Sequence, residues 1–239
     1  MNKKSMAIAC VAALAVTPAF ATFKTAGLCF TGYQAGRPTD MKVDGKKYRL
    51  EACSICFNIK EGQGPLAPYN NTVQKFFCAE VCQPVNTNKN QCETYKIVAI
   101  RDLSVLQGAQ YRDQKADAVC KLMNMTTSSS KNAFQTHNMD YAQAFQLMTW
   151  ELLYDFNGNF NSIDLNNGRY KGLSIPNAAV AAFNSIKLDL QNWNKACDPT
   201  KVVALTNSSK QDVIFAVPEP STIFAVAAGV AILARRRRK

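Results

Sequence analysis

From residue 22 to about residue 100 the apolar positions come in short stretches, broken by Gly27, Gly32, Gly36, Pro38, the Asp44-Gly45 pair and polar clusters at 62–65 and 68–71. That texture predicts β-strands and loops. Asp44-Gly45, between Met41-Lys42-Val43 and Lys46-Lys47-Tyr48, reads as a tight hairpin turn because both residues tolerate positive φ. From about Gln110 the period changes. Ala116, Val119, Cys120 and Met123 fall on one face of a helix. A second helix is expected from Tyr141 to about Phe156, capped by Asp140 with Gln143 in a capping-box position and stopped by Asn157-Gly158. Its core stripe is Tyr141, Phe145, Met148, Leu152 and Phe156, and Gln143, Gln146, Trp150 and Tyr154 share an adjacent face. Next come a hairpin from 160–165 and 169–173 around Asn166-Asn167-Gly168, a helix opened by Pro176, and two strands in 202–217 around Asn207-Ser208-Ser209. The expected architecture is one α+β domain, with a β-rich N-terminal half packed with three helices and C-terminal hairpins, stapled by disulfides. No internal repeat or extended linker interrupts it.

Both ends of the chain depart from this amphipathic texture. Lys3 and Lys4 precede an apolar region from Met6 to Val16, and Ala19-Phe20-Ala21 places small residues where signal peptidase cleaves. Residues 1–21 are therefore expected to direct export, leaving 22–217 as the exported domain. At the other end Pro218-Glu219-Pro220 precedes an apolar run, 222–234, and then Arg235, Arg236, Arg237, Arg238 and Lys239. A helix of about 13 residues rises only about 20 Å, short of a bilayer core of roughly 30 Å. Such a segment suits transient inner-membrane insertion, with the cations held in the cytoplasm. Pro218 and Pro220 keep the preceding chain extended and open to an enzyme.

This arrangement, residues 218–239, resembles the PEP-CTERM sorting signal recognised by exosortases in Gram-negative bacteria. The resemblance implies exosortase and signal peptidase as partners during export, and a mature protein at the cell surface or outside the cell. Charge has to be recounted accordingly. The chain holds 28 Lys and Arg against 17 Asp and Glu, but without both terminal segments 21 cations face 16 acids, a net +5. Most of the excess is topogenic, so nucleic-acid binding is not implied. Mild basicity leaves acidic exopolysaccharide as a partner class.

Of nine cysteines, Cys10 lies in the N-terminal segment. The others are Cys29, Cys53, Cys56, Cys78, Cys82, Cys92, Cys120 and Cys197, an even set in an exported chain, which points to disulfides among on the order of a hundred possible pairings. Cys53-x-x-Cys56 and Cys78-x-x-x-Cys82 approximate zinc spacing, but the compartment oxidises thiols and the second pair has one residue too many. No metal site or cofactor is expected.

A second resemblance lies in the helix Ala144-Phe145-Gln146-Leu147-Met148-Thr149-Trp150-Glu151-Leu152-Leu153-Tyr154-Asp155. It is similar to the FQLAIWEIVYD stretch of many PEP-CTERM secreted proteins and to the Gln-x-Ala-aliphatic-Trp motif of thioester domains in bacterial surface adhesins. Upstream, Phe77-Cys78-Ala79-Glu80-Val81 looks like the aromatic-Cys-x-acid pattern that supplies the thiol there. The resemblance runs from about residue 76 to Gln211-Asp212. It implies that Cys78 and Gln146 condense, with loss of ammonia, into an internal thioester that surface nucleophiles attack, with Trp150 as cover. Met148 and Thr149 depart from that pattern and crowd and polarise the site. Without the thioester, Gln146 reads as a helix-surface amide and Cys78 as half of a disulfide with Cys82 or Cys92.

Enzymatic chemistry is poorly supplied. His137 is the single histidine and is expected in a polar loop before a helix N-terminus. No Gly-rich phosphate loop occurs, and Asp102, Asp113 and Asp117 read as surface charge. The sequence therefore points to a non-enzymatic, structural or adhesive surface protein, with a covalent adhesin as its alternative and a secreted hydrolase as a remote one.

Overall fold

A computed structural model describes residues 24–89, 91–127, 132–134 and 136–217; the expected N-terminal export segment and the tail from 218 lie outside them. Seven strands and three α-helices are formed there: β1 (Thr25–Val43), β2 (Lys46–Lys60), β3 (Val73–Cys78), β4 (Cys92–Val98), α1 (Arg112–Thr127), α2 (Met139–Tyr154), β5 (Tyr170–Ser174), α3 (Asn177–Gln191), β6 (Val202–Thr206) and β7 (Val213–Ala216). The fold is α+β, with its N-terminal half rich in strand.

The β-rich half is not a set of short strands but one long hairpin. Asp44 (φ 47°) and Gly45 (φ 85°) turn the chain with Val43 opposite Lys46, as the residue pair predicts. Gly32 and Gly36, which read as strand breaks, instead mark two register slips inside β1, between Phe30 and Gly32 and between Gln34 and Gly36. At Gly36 the reason is space, because a Cβ there would lie 2.0 Å from the Cβ of Cys53. Pro38 is tolerated because β1 is paired on its second edge only at its ends, with β4 at Thr25–Cys29 and with β5 from Asp40.

The strands run β2-β3-β7-β6-β4-β1, and β1 pairs back onto β2. This closes an antiparallel six-stranded barrel, and β5 extends the far end of β1. Alternation sends Ile55, Phe57, Phe76, Tyr95, Leu205 and Phe215 inward, where Phe76 meets Phe57 at 5.5 Å and Phe215 at 5.1 Å between ring centroids. Phe77 points outward beneath the helices, 4.6 Å from Phe145 of α2.

α2 is buried almost all round, every residue from Ala142 to Tyr154 included. Its amphipathic stripe is therefore no guide to what faces water. The cap is Asn138, whose side chain accepts from the N–H groups of Asp140 and Tyr141; Asp140 instead pairs with Arg37, and Gln143 donates to Thr39 Oγ1 at 2.5 Å. The hairpin expected at 160–173 does not form. Residues Phe160–Ser162 make a 3-10 turn, and β5 pairs with β1, which offers a longer partner. Trp193 lies beyond the end of α3.

Candidate functional site

At the end of β3 the barrel opens by one strand position. The β2–β3 ladder ends at Ile55 opposite Phe76, while β3 and β7 stay paired through Cys78 opposite Val213. Because Ala79 N–H bonds Asp212 O on the β7 side at 2.8 Å, the N–H and C=O of Cys78 point the other way, into the gap. Unpaired there, each would carry a penalty of about 1–3 kcal/mol. Gln146 fills the place of the missing strand. Cys78 N–H donates to Gln146 Oε1 at 2.9 Å, and Gln146 Nε2 donates to Cys78 O at 2.8 Å.

Gln146 is completely buried, not a helix-surface amide, and Cys78 is 3% exposed. The Cys78 side chain belongs to the inward-facing set. Continuing the β2–β3 register by two residues would set Cys53 opposite Cys78, and Cys53 pairs instead with Gly36 on the other side. Burial pushes the Cys78 thiol well above the ordinary range, with Cys53 as a lesser cause. Burial likewise pushes Cys53 up to about 12. Both thiols are held protonated.

The acid of the Cys-x-acid pattern closes the same corner. Asp212 N–H donates to Glu80 Oε2 at 3.2 Å, and Gln211 Nε2 donates to Glu80 O. Asp212 accepts from the N–H groups of Ser104 (2.9 Å) and Asn207 (3.1 Å). Burial, then the nearby Asp212 carboxylate, raise the Glu80 carboxyl to about 7 against the opposing bond from Asp212 N–H. Tyr154 of α2 reaches the corner as well, its hydroxyl accepting from Val81 N–H at 3.2 Å. Residues separated by over a hundred positions, Glu80 and Asp212 among them, thus meet at the point where α2 enters the sheet. Trp150 is 1% exposed and packs 5.8 Å from the Tyr170 ring.

Two disulfides form, Cys29–Cys92 across the β1–β4 ladder and Cys120–Cys197 between α1 and the segment after α3. Cys92 is therefore not a partner for Cys78. Cys53, Cys56 and Cys78 are buried thiols and Cys82 an exposed one, so four of the eight cysteines that pointed to disulfides are not paired. His137 is exposed, with Nδ1 3.3 Å from Gln34 Nε2, and Asp102 and Asp117 form ion pairs with Arg112 and Lys121. Among the described residues no group of three or more His, Cys, Asp or Glu is gathered as a metal site. Two contacts escaped the sequence reading: Gln143 to Thr39, and Asn138 as the cap, whose signal was an Asn directly before the apolar stripe.

Comparison with family models matches residues 216–239, from the last residue of β7 onward, to the PEP-CTERM protein-sorting motif. The chain carries a PEP-CTERM sorting signal. It is thus an exported protein processed by exosortase, and the signal begins without a linker where the barrel ends. Among the described residues no helix is long and apolar enough to cross a membrane. Neither the curated proteins nor the solved structures provide a match.

Alkylation separates the cysteines by burial. Native protein treated with iodoacetamide without reductant should label Cys82 alone, since Cys53, Cys56 and Cys78 are shielded and protonated. Denaturation without reduction should then add Cys53 and Cys56 and leave the Cys29–Cys92 and Cys120–Cys197 peptides unlabelled, as read by peptide mapping. Label on Cys120 or Cys197 would contradict this pairing.

Proposed function

We propose that the exported domain is a non-enzymatic adhesive module at the cell surface, and that its adhesion is covalent, through an internal thioester between Cys78 and Gln146. The observation that supports this reading is the reciprocal pair of hydrogen bonds between the Gln146 amide and the Cys78 backbone, at a cysteine left out of both disulfides. In forming the bond, Cys78 Sγ adds to Gln146 Cδ and the Cδ–Nε2 bond breaks. The thiol proton leaves with Nε2 as ammonia. The hydrogen bond from Nε2 to Cys78 O is lost, while Cys78 N–H remains on Oε1, where it stabilises negative charge developing on that oxygen. An incoming amine then bonds to Cδ, the Cδ–Sγ bond breaks, and a proton returns to Sγ. Each molecule reacts once, so no turnover is involved. Enclosure of both groups protects the bond from hydrolysis.

The same hydrogen bonds favour a second reading. Gln146 satisfies both orphaned groups of β3, so the pair serves equally as a strut in a structural matrix protein. Intact mass of freshly isolated protein, before and after a small amine, separates the two.

Sorting carries its own expectation. Protein recovered outside the cell should lack Arg235 to Lys239, because processing at the PEP-CTERM segment removes the cytoplasmic cations. Intact mass reads this directly, and the full tail on extracellular protein would rule out exosortase cleavage.

A further inference from the structure

A hollow of about 270 Å³ lies away from the Cys78 corner, between α1, the loop after α2 and the end of α3. Gln114, Asp117 and Lys121 enter it from one face of α1, Phe156 and Phe160 from the loop, and Trp193 from the end of α3. We propose that this hollow is a saccharide subsite, taking one pyranose ring of an acidic, uronate-containing polysaccharide.

Size and lining carry the assignment. The volume is just below the roughly 300 Å³ at which small-molecule pockets begin, enough for a single ring. Three aromatic side chains meet there, with Phe156 and Phe160 5.0 Å apart. A pyranose has an apolar face of C–H bonds with slight positive character, which packs against the negative face of an aromatic ring. Around its rim are hydroxyls, and the amides of Gln114 and Gln191 offer both donors and acceptors to them. The covered Nε1–H of Trp193 has no partner among the described residues, a donor the protein itself does not satisfy.

Charge favours the acidic sugar. Lys195 holds its ammonium 5.2 Å from the centroid of the Trp193 ring, and Lys121 lines the hollow beside Asp117, with which it pairs at 2.8 Å, so Lys195 is the cation left for a ligand carboxylate. The net +5 of the domain outside its terminal segments draws a polyanion to its surface as a whole, and Lys195 then stands beside the bound ring. The site is independent of the thioester. It lets the domain hold a polyanionic matrix reversibly.

The test is titration of the exported protein with trigalacturonate and with neutral cellotriose, followed by calorimetry and by tryptophan emission. Trigalacturonate should bind and shift the emission, weakening as salt rises, with cellotriose at least tenfold weaker. Trp193→Ala should lose at least tenfold in affinity, and Gln114→Ala, on an exposed stretch of α1, severalfold with unchanged unfolding temperature. Cys78→Ala should bind as well as the parent, which keeps this result separate from the thioester. Absence of binding by both sugars, equal binding of the neutral one, or full affinity in both hollow variants would overturn the proposal.

Discussion

Freshly isolated protein should weigh one ammonia less than the sequence with its two disulfides requires. The reason is the corner in which β2 leaves β3. There the Gln146 amide is locked on the Cys78 backbone, both residues are buried, and the thiol is kept protonated and outside both disulfides. Adding methylamine should raise the mass by one methylamine and free a thiol at Cys78 that labels once the protein is denatured. Cys78→Ala and Gln146→Ala should each abolish both changes. They should differ in stability. Cys78→Ala keeps the backbone groups that Gln146 binds, whereas Gln146→Ala leaves a buried N–H and C=O without partners and should cost on the order of 2–5 kcal/mol in unfolding free energy. A parent protein of full sequence mass, inert to methylamine, with Gln146→Ala still destabilising, would leave the strut as the role of this pair.

Stability should fall steadily as pH rises from about 4 to about 9. Glu151 lies inside α2 at 0% exposure, with Oε2 accepting from Asp164 N–H at 3.2 Å and Oε1 unpartnered among the described residues. Burial first, then the carboxylate of Asp155, raise its pKa to about 9. The unfolded chain releases this proton near pH 4.3, so between that point and about 9 the folded state holds a proton that the unfolded state has lost. The favourable contribution is complete below the unfolded value and disappears as pH rises through the folded one, a change on the order of 3–6 kcal/mol. Glu80, raised to about 7, adds a smaller decline of the same sign over the lower part of the range. Glu151→Gln should match the parent near pH 4, exceed its unfolding temperature at pH 8, and flatten the profile between. A variant with the parent's slope would mean that Glu151 is ionised within the fold.

Local chemistry was readable wherever one residue decides the backbone. Asp44-Gly45 and the polar turn at Asn207 are where the sequence puts them, because positive φ and side-chain-to-backbone bonding are properties of those residues. Gly32 and Gly36 misled for the same reason in reverse. A glycine at a bulge and a glycine at a strand end look alike until the neighbouring strand, here the Cβ of Cys53, is known. Barrel closure was not legible, since it depends on β1 having β2 on one edge and β4 on the other, and pairing leaves little trace in single-strand texture. At the site, motif similarity brought out Cys78, Gln146 and Asp212. What it could not convey is that Gln146 acts on the backbone of Cys78, because a main-chain acceptor has no residue type to read.

β7 is only four residues long, yet it lies between β3 and β6, and the chain leaves it directly into the sorting segment. Tension applied through that exit pulls β7 along its own axis. The ladders to both neighbours, and the Val217 N–H bond to Lys201 O, are then loaded together in shear, not opened one after another from an edge. A short strand placed between two partners thus gives the domain a grip that resists traction at the end by which the cell first holds it.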